Sequence, residues 1–287
     1  MFWVLNSNLY RERGYDRLME ILPRMGIRFA TVKSVPGTDR FMAADADTFA
    51  MTAEEQENAP EPFIDTSGAV IICGSYTLAK IAKKRGWKPG AFIDNLDYMT
   101  MASKLPADWL LNPDATILPF KGVQIDDDRF IRPVEDSKAF SGRVYAPQEW
   151  ADFRGSALKA LDVEGAVPGF SLDIETPVIV SKPVEIFTET RFFVVDGKVI
   201  THGRYKRGNR VVGHIVNDPA DPHVIEHAQR VASFWQPQPA FVVDIAETPN
   251  GLKIVEYNSL TCAGFYSADV QALVMALEDL GSRYEGG

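Results

Sequence analysis

The first hundred residues alternate between short unbroken apolar runs and stretches with apolar residues at helical spacing. "MFWVLN" reads as a buried strand, and "YDRLMEILPRMG" as an amphipathic helix stopped at Gly26. "IRFATVKSV" predicts a second strand. "GAVIICGSYTLAKIAKKRG" predicts a buried strand, a Gly-Ser turn that caps a helix, and the helix itself. Between them, residues 36–66 are rich in Asp, Glu, Pro and Ala and predict a long loop or a partly helical insertion. Strand–helix alternation of this kind predicts an α/β first third with a small parallel sheet. From about residue 112 the pattern changes. "ATILPFKGVQIDDDRFIRPV" predicts short strands around an acidic turn at Asp126–Asp128, and "APQEWADFRGSALKAL" a helix with Pro147 in its first turn. "TPVIVSKPVEIFTETRFFVVDGKVITHGRYKRG" predicts several strands, with Asp196-Gly197 as a hairpin turn. A helix opened by Asp221 and Pro222, a strand pair over 242–258 and a C-terminal helix near 266–280 complete an antiparallel α+β region.

The strand pair "VVDIAETPNGLKIVEYN" carries three polar groups on otherwise apolar strands: Asp244, Glu256 and Asn258. Which way they point depends on the turn. Asn250-Gly251 alone suggests a two-residue type I′ hairpin, which sets Asp244 and Glu256 on opposite faces. Pro249 favours the first central position of a type I turn, with Gly251 as a left-handed residue in a bulge. That three-residue turn brings all three polar groups to one face. Two opposed carboxylates repel without a counter-ion, and a divalent cation resolves the conflict. Carboxylate and amide oxygens suit magnesium, which takes one or two carboxylates and fills its shell with water and phosphates. An exposed hairpin face with incidental acids is the plainer alternative, and the pattern alone leaves both open.

A magnesium–nucleotide site also needs phosphate contacts and a slot for a base. Neither GxxxxGK[ST] nor GxGxxG occurs, which removes the main support for a P-loop or Rossmann reading. "FIRPVEDSKAFSG" offers Arg132 at a strand end and Lys138 in a loop closed by Ser141 and Gly142. Taken singly, Lys138 is a solvated loop lysine. "VIVSKPVEIFTETRFF" breaks an apolar strand at Lys182-Pro183, freeing backbone groups to read a base edge, with Glu185 placed to accept from ribose hydroxyls. Glu189 and Arg191 read by default as an i,i+2 pair on an exposed strand face, and Lys206 and Arg207 of "GRYKRGNR" as a solvated hairpin end.

The order of these pieces resembles the ATP-grasp superfamily of ATP-dependent carboxylate–amine ligases, and most of all a divergent clade of bacterial and phage genomes. The resemblance covers about residues 115–275, with "FVVDIAETPNGLKIVEYNSLTCAGFY" its most specific part and "ETRFFVVDGKVI" the next. It implies an α+β ATP-grasp fold of two subdomains with antiparallel sheets, preceded by a small α/β domain. The boundaries would be 1–114 for the N-terminal domain and 115–287 for the ATP-grasp domain, split into a nucleotide-covering part (115–184) and a metal-binding part (185–287). It implies ATP and Mg2+ as cofactors, with Asp244, Glu256 and Asn258 as metal ligands, and Arg132 and Lys138 on the phosphates. Ser181, Lys182, Pro183 and Val184 match the adenine hinge, Glu185 lies toward the ribose, and Arg191 near the transferred phosphate. Arg204 and Arg210 are candidates for holding the acceptor carboxylate. The family usually has lysine where Arg132 stands, and a phosphate loop richer in glycine. The implied reaction is ligation through an acyl phosphate. A phosphotransferase on the same fold and a non-catalytic nucleotide-binding module are its rivals.

Composition narrows the partners. The 287 residues carry a formal net charge of -9, which disfavours nonspecific nucleic-acid binding. A hydrophobic content of 46% is ordinary for a folded chain, yet no apolar run reaches the length of a membrane span. Two distant cysteines, Cys73 and Cys262, give neither a disulfide framework nor a zinc knuckle, and the N-terminus shows no signal peptide. A cytoplasmic protein acting on small-molecule or peptide carboxylates and amines is the expectation, and a homo-oligomer is compatible with it. "HVIEH" at 223–227 matches a zinc-protease pattern, but the helix start at Asp221-Pro222 places both histidines in its first two turns, near solvent, and the motif is set aside.

Overall fold

A computed structural model describes residues 1–7, 13–35, 38–46, 51–134, 139–164, 172–208, 210–212 and 220–284, with the backbone alone for 162–164. The first elements are β1 (Phe2–Asn6), α1 (Arg13–Arg24), β2 (Phe29–Ser34), β3 (Phe41–Ala43), α2 (Ala53–Asn58), β4 (Val70–Cys73), α3 (Tyr76–Lys84) and β5 (Pro89–Gly90). They form a sheet in the order β3-β2-β1-β4-β5, parallel except for the edge strand β3. The acidic stretch 36–66, expected as a loop or insertion, holds β3 and the six-residue α2, whose Thr52 and Glu55 cap one another reciprocally. Ser75 caps α3 by accepting from the Leu78 amide at 3.1 Å, as its sequence context predicts.

Next come α4 (Tyr98–Lys104), β6 (Thr116–Pro119), β7 (Arg129–Pro133), β8 (Arg143–Tyr145), α5 (Pro147–Glu164) and β9 (Pro177–Ser181). Their antiparallel sheet runs β6-β9-β7-β8. Its core is an aromatic cluster in which Phe120, Phe140, Tyr145 and Phe153 surround Trp150. The buried indole of Trp150 donates to the Val123 carbonyl at 3.1 Å, so this large side chain is buried without an unmet donor.

The remaining elements are β10 (Thr188–Val195), β11 (Lys198–Arg207), β12 (Arg210–Val211), α6 (Pro222–Phe234), β13 (Ala240–Thr248), β14 (Gly251–Asn258) and α7 (Val270–Gly281). They give a sheet in the order β12-β11-β10-β13-β14. Asp196 (φ 51°) and Gly197 (φ 71°) both take the left-handed conformation between the paired Val195 and Lys198, which is the two-residue type I′ turn expected from Asp-Gly. At the other hairpin, Gly251 is left-handed (φ 87°) while Asn250 is not. Type I′ needs both central residues left-handed, so the Pro249 turn with a Gly251 bulge is the one formed.

The chain divides into two compact units: residues 1–96, 188–245 and 257–287 make one, and residues 97–187 and 246–256 the other. In the first, the parallel sheet and the β10–β14 sheet enclose a shared core. Trp3, Leu5 and Ile71 reach it from one sheet, Phe193, Val195 and Val242 from the other, and Leu18, Leu22, Leu273 and Leu277 of α1 and α7 fill the space between. Each such side chain contributes about 1.5–3 kcal/mol of burial. The opposite face of β1 and β4 packs on α3 through Phe2, Val4, Val70 and Ile72. His227 of α6, expected near solvent, is buried, while His223 is exposed. The reason is register: His227 falls beside Val224, Ala228 and Val231 on the helix's buried face. Among the described residues no helix is long and apolar enough to cross a membrane.

Candidate functional site

The polar cluster grows out of an apolar strand face. On β10, Arg191 precedes Phe193 by two residues, and on β13, Asp244 follows Val242 by two, so each continues the stripe that faces the shared core. Asp244 is fully buried and Arg191 is 8% exposed. They form a bidentate pair, Nε to Oδ1 at 2.9 Å and Nη2 to Oδ2 at 2.7 Å. The Asn258 amide donates to Asp244 Oδ2 at 3.3 Å, and the Tyr205 hydroxyl lies 3.4 Å from the same oxygen. That contact places Asp244 and Asn258 on one face, and strand alternation adds Glu256, two residues before Asn258.

The residues packed around this pair are ones that sequence reasoning missed. Tyr205 donates to Glu189 Oε2 at 2.5 Å, and Lys206 pairs with the other Glu189 oxygen. The rings of Tyr205 and Tyr266 stack 5.1 Å apart, and the Arg191 guanidinium lies 5.4 and 5.3 Å from their centroids. Tyr266 holds a left-handed backbone (φ 51°), with Arg17 donating to its carbonyl at 2.7 Å. Glu189 and Arg191 are thus buried rather than an exposed i,i+2 pair, and Lys206 is engaged rather than a free hairpin end. Burial lowers the Arg191 pKa, but the Asp244 carboxylate outweighs it and holds the guanidinium above its usual value. Burial, then the carboxylates of Asp244 and Glu189, push the Tyr205 phenol well above its ordinary pKa, so it stays a donor.

The other candidates lie elsewhere. Arg204 is buried on β11 opposite Thr190, whereas Arg210 is exposed on the short edge strand β12. In the second unit, Arg132 of β7 lies 3.3 Å from Glu256 Oε2. Gly142 permits this placement: a Cβ there would come within 2.7 Å of the Arg132 Cβ. Ser181 ends β9 and is buried, with its hydroxyl unpartnered among the described residues. Lys182, Pro183 and Glu185 beyond it are exposed and Val184 half-buried, and the Lys182 amide donates to Asp114 at 3.4 Å. Lys138 lies outside the described residues.

Two carboxylates and an amide on one strand face are hard oxygen donors of the kind magnesium takes. Each carboxylate also meets an arginine, Asp244 through Arg191 and Glu256 through Arg132. A carboxylate carries about four lone-pair sites, so a guanidinium does not exhaust it. The donor set therefore fits the cation, which would share these oxygens with the arginines. No cluster of three or more His, Cys, Asp or Glu side chains suited to a metal occurs among the described residues, so the amide of Asn258 belongs to the set on which the fit depends.

Solved structures resembling this chain share its fold at low identity. D-cycloserine synthetase DcsG is similar over 99% of this chain and 100% of its own, with a TM-score of 0.58 and 14% identity. A D-alanine–D-alanine ligase from Bacillus anthracis matches over 100% and 99%, with a TM-score of 0.56 and 11% identity. A RimK-domain ATP-grasp protein from Sphaerobacter thermophilus matches over 98% and 95%, with a TM-score of 0.55 and 13% identity. No curated protein sequence matches the chain. A family of ATP-grasp domains, the third family of its clade, matches residues 31–277, and the chain belongs to that ATP-grasp family.

Proposed function

We propose that the protein is an ATP- and Mg2+-dependent ligase that joins a carboxylate to an amine. The observation that carries this reading is the shared strand face of Asp244, Glu256 and Asn258, bordered by the buried Arg191. Magnesium held by those three residues would neutralise charge on the nucleotide phosphates. Arg191, fixed by Asp244 and packed between Tyr205 and Tyr266, is oriented to stabilise charge that builds on the transferred phosphoryl group. Arg132 and Lys138 contact the phosphates. The backbone of Ser181 to Val184, beyond the end of β9, reads the adenine edge, and Glu185 accepts from the ribose. Arg204 and Arg210 hold the acceptor carboxylate. In this arrangement residues 115–184 cover the nucleotide and 185–287 supply the metal ligands.

The acceptor carboxylate oxygen attacks the γ-phosphorus and ADP leaves. The amine nitrogen then attacks the acyl carbon, and phosphate departs as the nitrogen loses a proton. Positioning and electrostatics suffice, and no protein nucleophile is needed. The decisive experiment measures ADP and phosphate against a panel of small-molecule and peptide acceptors. Equal amounts of both, released only with an acceptor and matched by an amide product, are expected. A stable phosphorylated product would assign the chain to phosphotransfer instead. Nucleotide binding that survives Asp244→Ala with Glu256→Ala, without turnover on any acceptor, would make it a binding module.

A further inference from the structure

In the parallel sheet, β1 has β2 on one side and β4 on the other. The helix after β1 packs on one face and the helix after β4 on the opposite face, since α1 belongs with Trp3 and Leu5 and α3 with Phe2 and Val4. This is a topological switch point, where a crevice opens at the carboxyl ends of the two strands. Asn6 ends β1 there. It is 7% exposed, and its Oδ1 has no hydrogen-bond partner among the described residues. Strand alternation turns Asn6 to the α3 side with Phe2 and Val4. The pairing of Leu5 with Cys73 sets Asn6 level with Gly74, immediately before the Ser75 cap of α3.

Two more buried oxygens converge on this edge. Ser34 ends β2 on the same face as Val32, and its Oγ is buried without a partner among the described residues, as is that of Ser7 next to Asn6. Buried unpaired polar atoms are rare and costly, so three at one strand edge call for a partner. The first turn of the nine-residue α3 adds backbone N–H groups and the positive end of its dipole. The crevice also borders the ligase site: the Gly74 amide donates at 2.7 Å to the carbonyl of Thr261, three residues beyond Asn258.

The geometry points to this edge as the binding site for one of the two ligation substrates, a small amino carboxylate. Its carboxylate lies against the first turn of α3, and its ammonium donates to Asn6 Oδ1 and the hydroxyls of Ser7 and Ser34. The assignment rests on the ligase reading for its place in the reaction, but binding can be measured without turnover.

The test is saturation-transfer NMR on the full chain with glycine, L-alanine, D-alanine and L-glutamate, beside calorimetric titration of ATP. At least one amino carboxylate binds the wild type. Asn6→Leu, close in size, weakens that binding about tenfold or more, the scale of one lost hydrogen bond to a charged group. Ser34→Ala weakens it by a smaller factor. ATP affinity stays the same in both variants, and the melting temperature of Asn6→Leu does not fall, because the buried amide serves the ligand rather than the fold. Wild-type binding in both variants, or no binding by any of the four probes, overturns the site. Acceptor-dependent release of ADP and phosphate in that event leaves the ligase reading standing.

Discussion

Replacing Asp244 by alanine removes the whole counter-charge of a guanidinium that is 8% exposed and makes two hydrogen bonds, of 2.9 and 2.7 Å, to that carboxylate. Losing one partner of a buried pair costs about 3–5 kcal/mol, because the remaining charge keeps its desolvation penalty. With an unfolding entropy of roughly 2.1 cal/mol/K per residue, a chain of 287 residues loses about 5–8 °C of melting temperature. The double variant Asp244→Ala with Arg191→Met removes the stranded charge as well, and recovers most of that loss. Urea unfolding followed by circular dichroism supplies the free energies, and calorimetry the melting temperatures. A single variant within about 1 kcal/mol of wild type would contradict the reasoning. So would a double variant no more stable than Asp244→Ala.

Three further outcomes follow from named side chains. Burial raises the phenol pKa values of Tyr15, Tyr205 and Tyr257 above their ordinary value. Unfolded phenols ionise near pH 10, so above that pH the unfolded state binds fewer protons than the folded one and stability falls as pH rises. Tyr257→Phe should flatten that fall in urea titrations between about pH 9 and 11, and cost little at pH 7 because its hydroxyl has no hydrogen-bond partner among the described residues; an unchanged slope would contradict this. Gly251→Ala forces a Cβ into a left-handed conformation with no neighbour within 4 Å, so its cost is purely conformational, about 1–2 kcal/mol, and Gly251→Asn recovers part of it; equal stability of all three would place the turn wrongly. Gly142→Ala sets a methyl 2.7 Å from the Arg132 Cβ, displacing that arginine, and ATP affinity should drop by about an order of magnitude; calorimetric titration with unchanged affinity would remove Arg132 from the nucleotide site.

Local patterns made much of this fold legible. Asp196-Gly197 and Pro249-Asn250-Gly251 announced their turns because backbone sterics at φ > 0 are a one-residue property. The cap at Ser75 and the strand–helix alternation of the first third were equally local. What the pattern hid was long-range. Nothing in "ETRFFVV" or "VVDIAET" indicates that a parallel sheet, α1 and α7 cover the same face as Arg191 and Asp244, so Glu189 and Arg191 read as exposed. Tyr205 and Tyr266 lie 61 residues apart and meet only through the fold. The one available signal was alternation: Tyr205 stands between polar neighbours in "GRYKRG", an apolar ring where a solvated hairpin end needs none. Asn6 was likewise hidden, because a polar residue closing an apolar strand reads as its terminus, and the burial of its oxygen is visible only in three dimensions.

The central claim is that the face carrying Asp244, Glu256 and Asn258 holds the cation of a magnesium nucleotide. Calorimetric titration of ATP into wild type and Glu256→Gln, each with magnesium and with a chelator, tests it without knowledge of the acceptor. Magnesium should tighten ATP binding to wild type about tenfold or more and do little for Glu256→Gln, whose neutral amide keeps the size but loses the charge. Equal enhancement by magnesium in both proteins would contradict the claim.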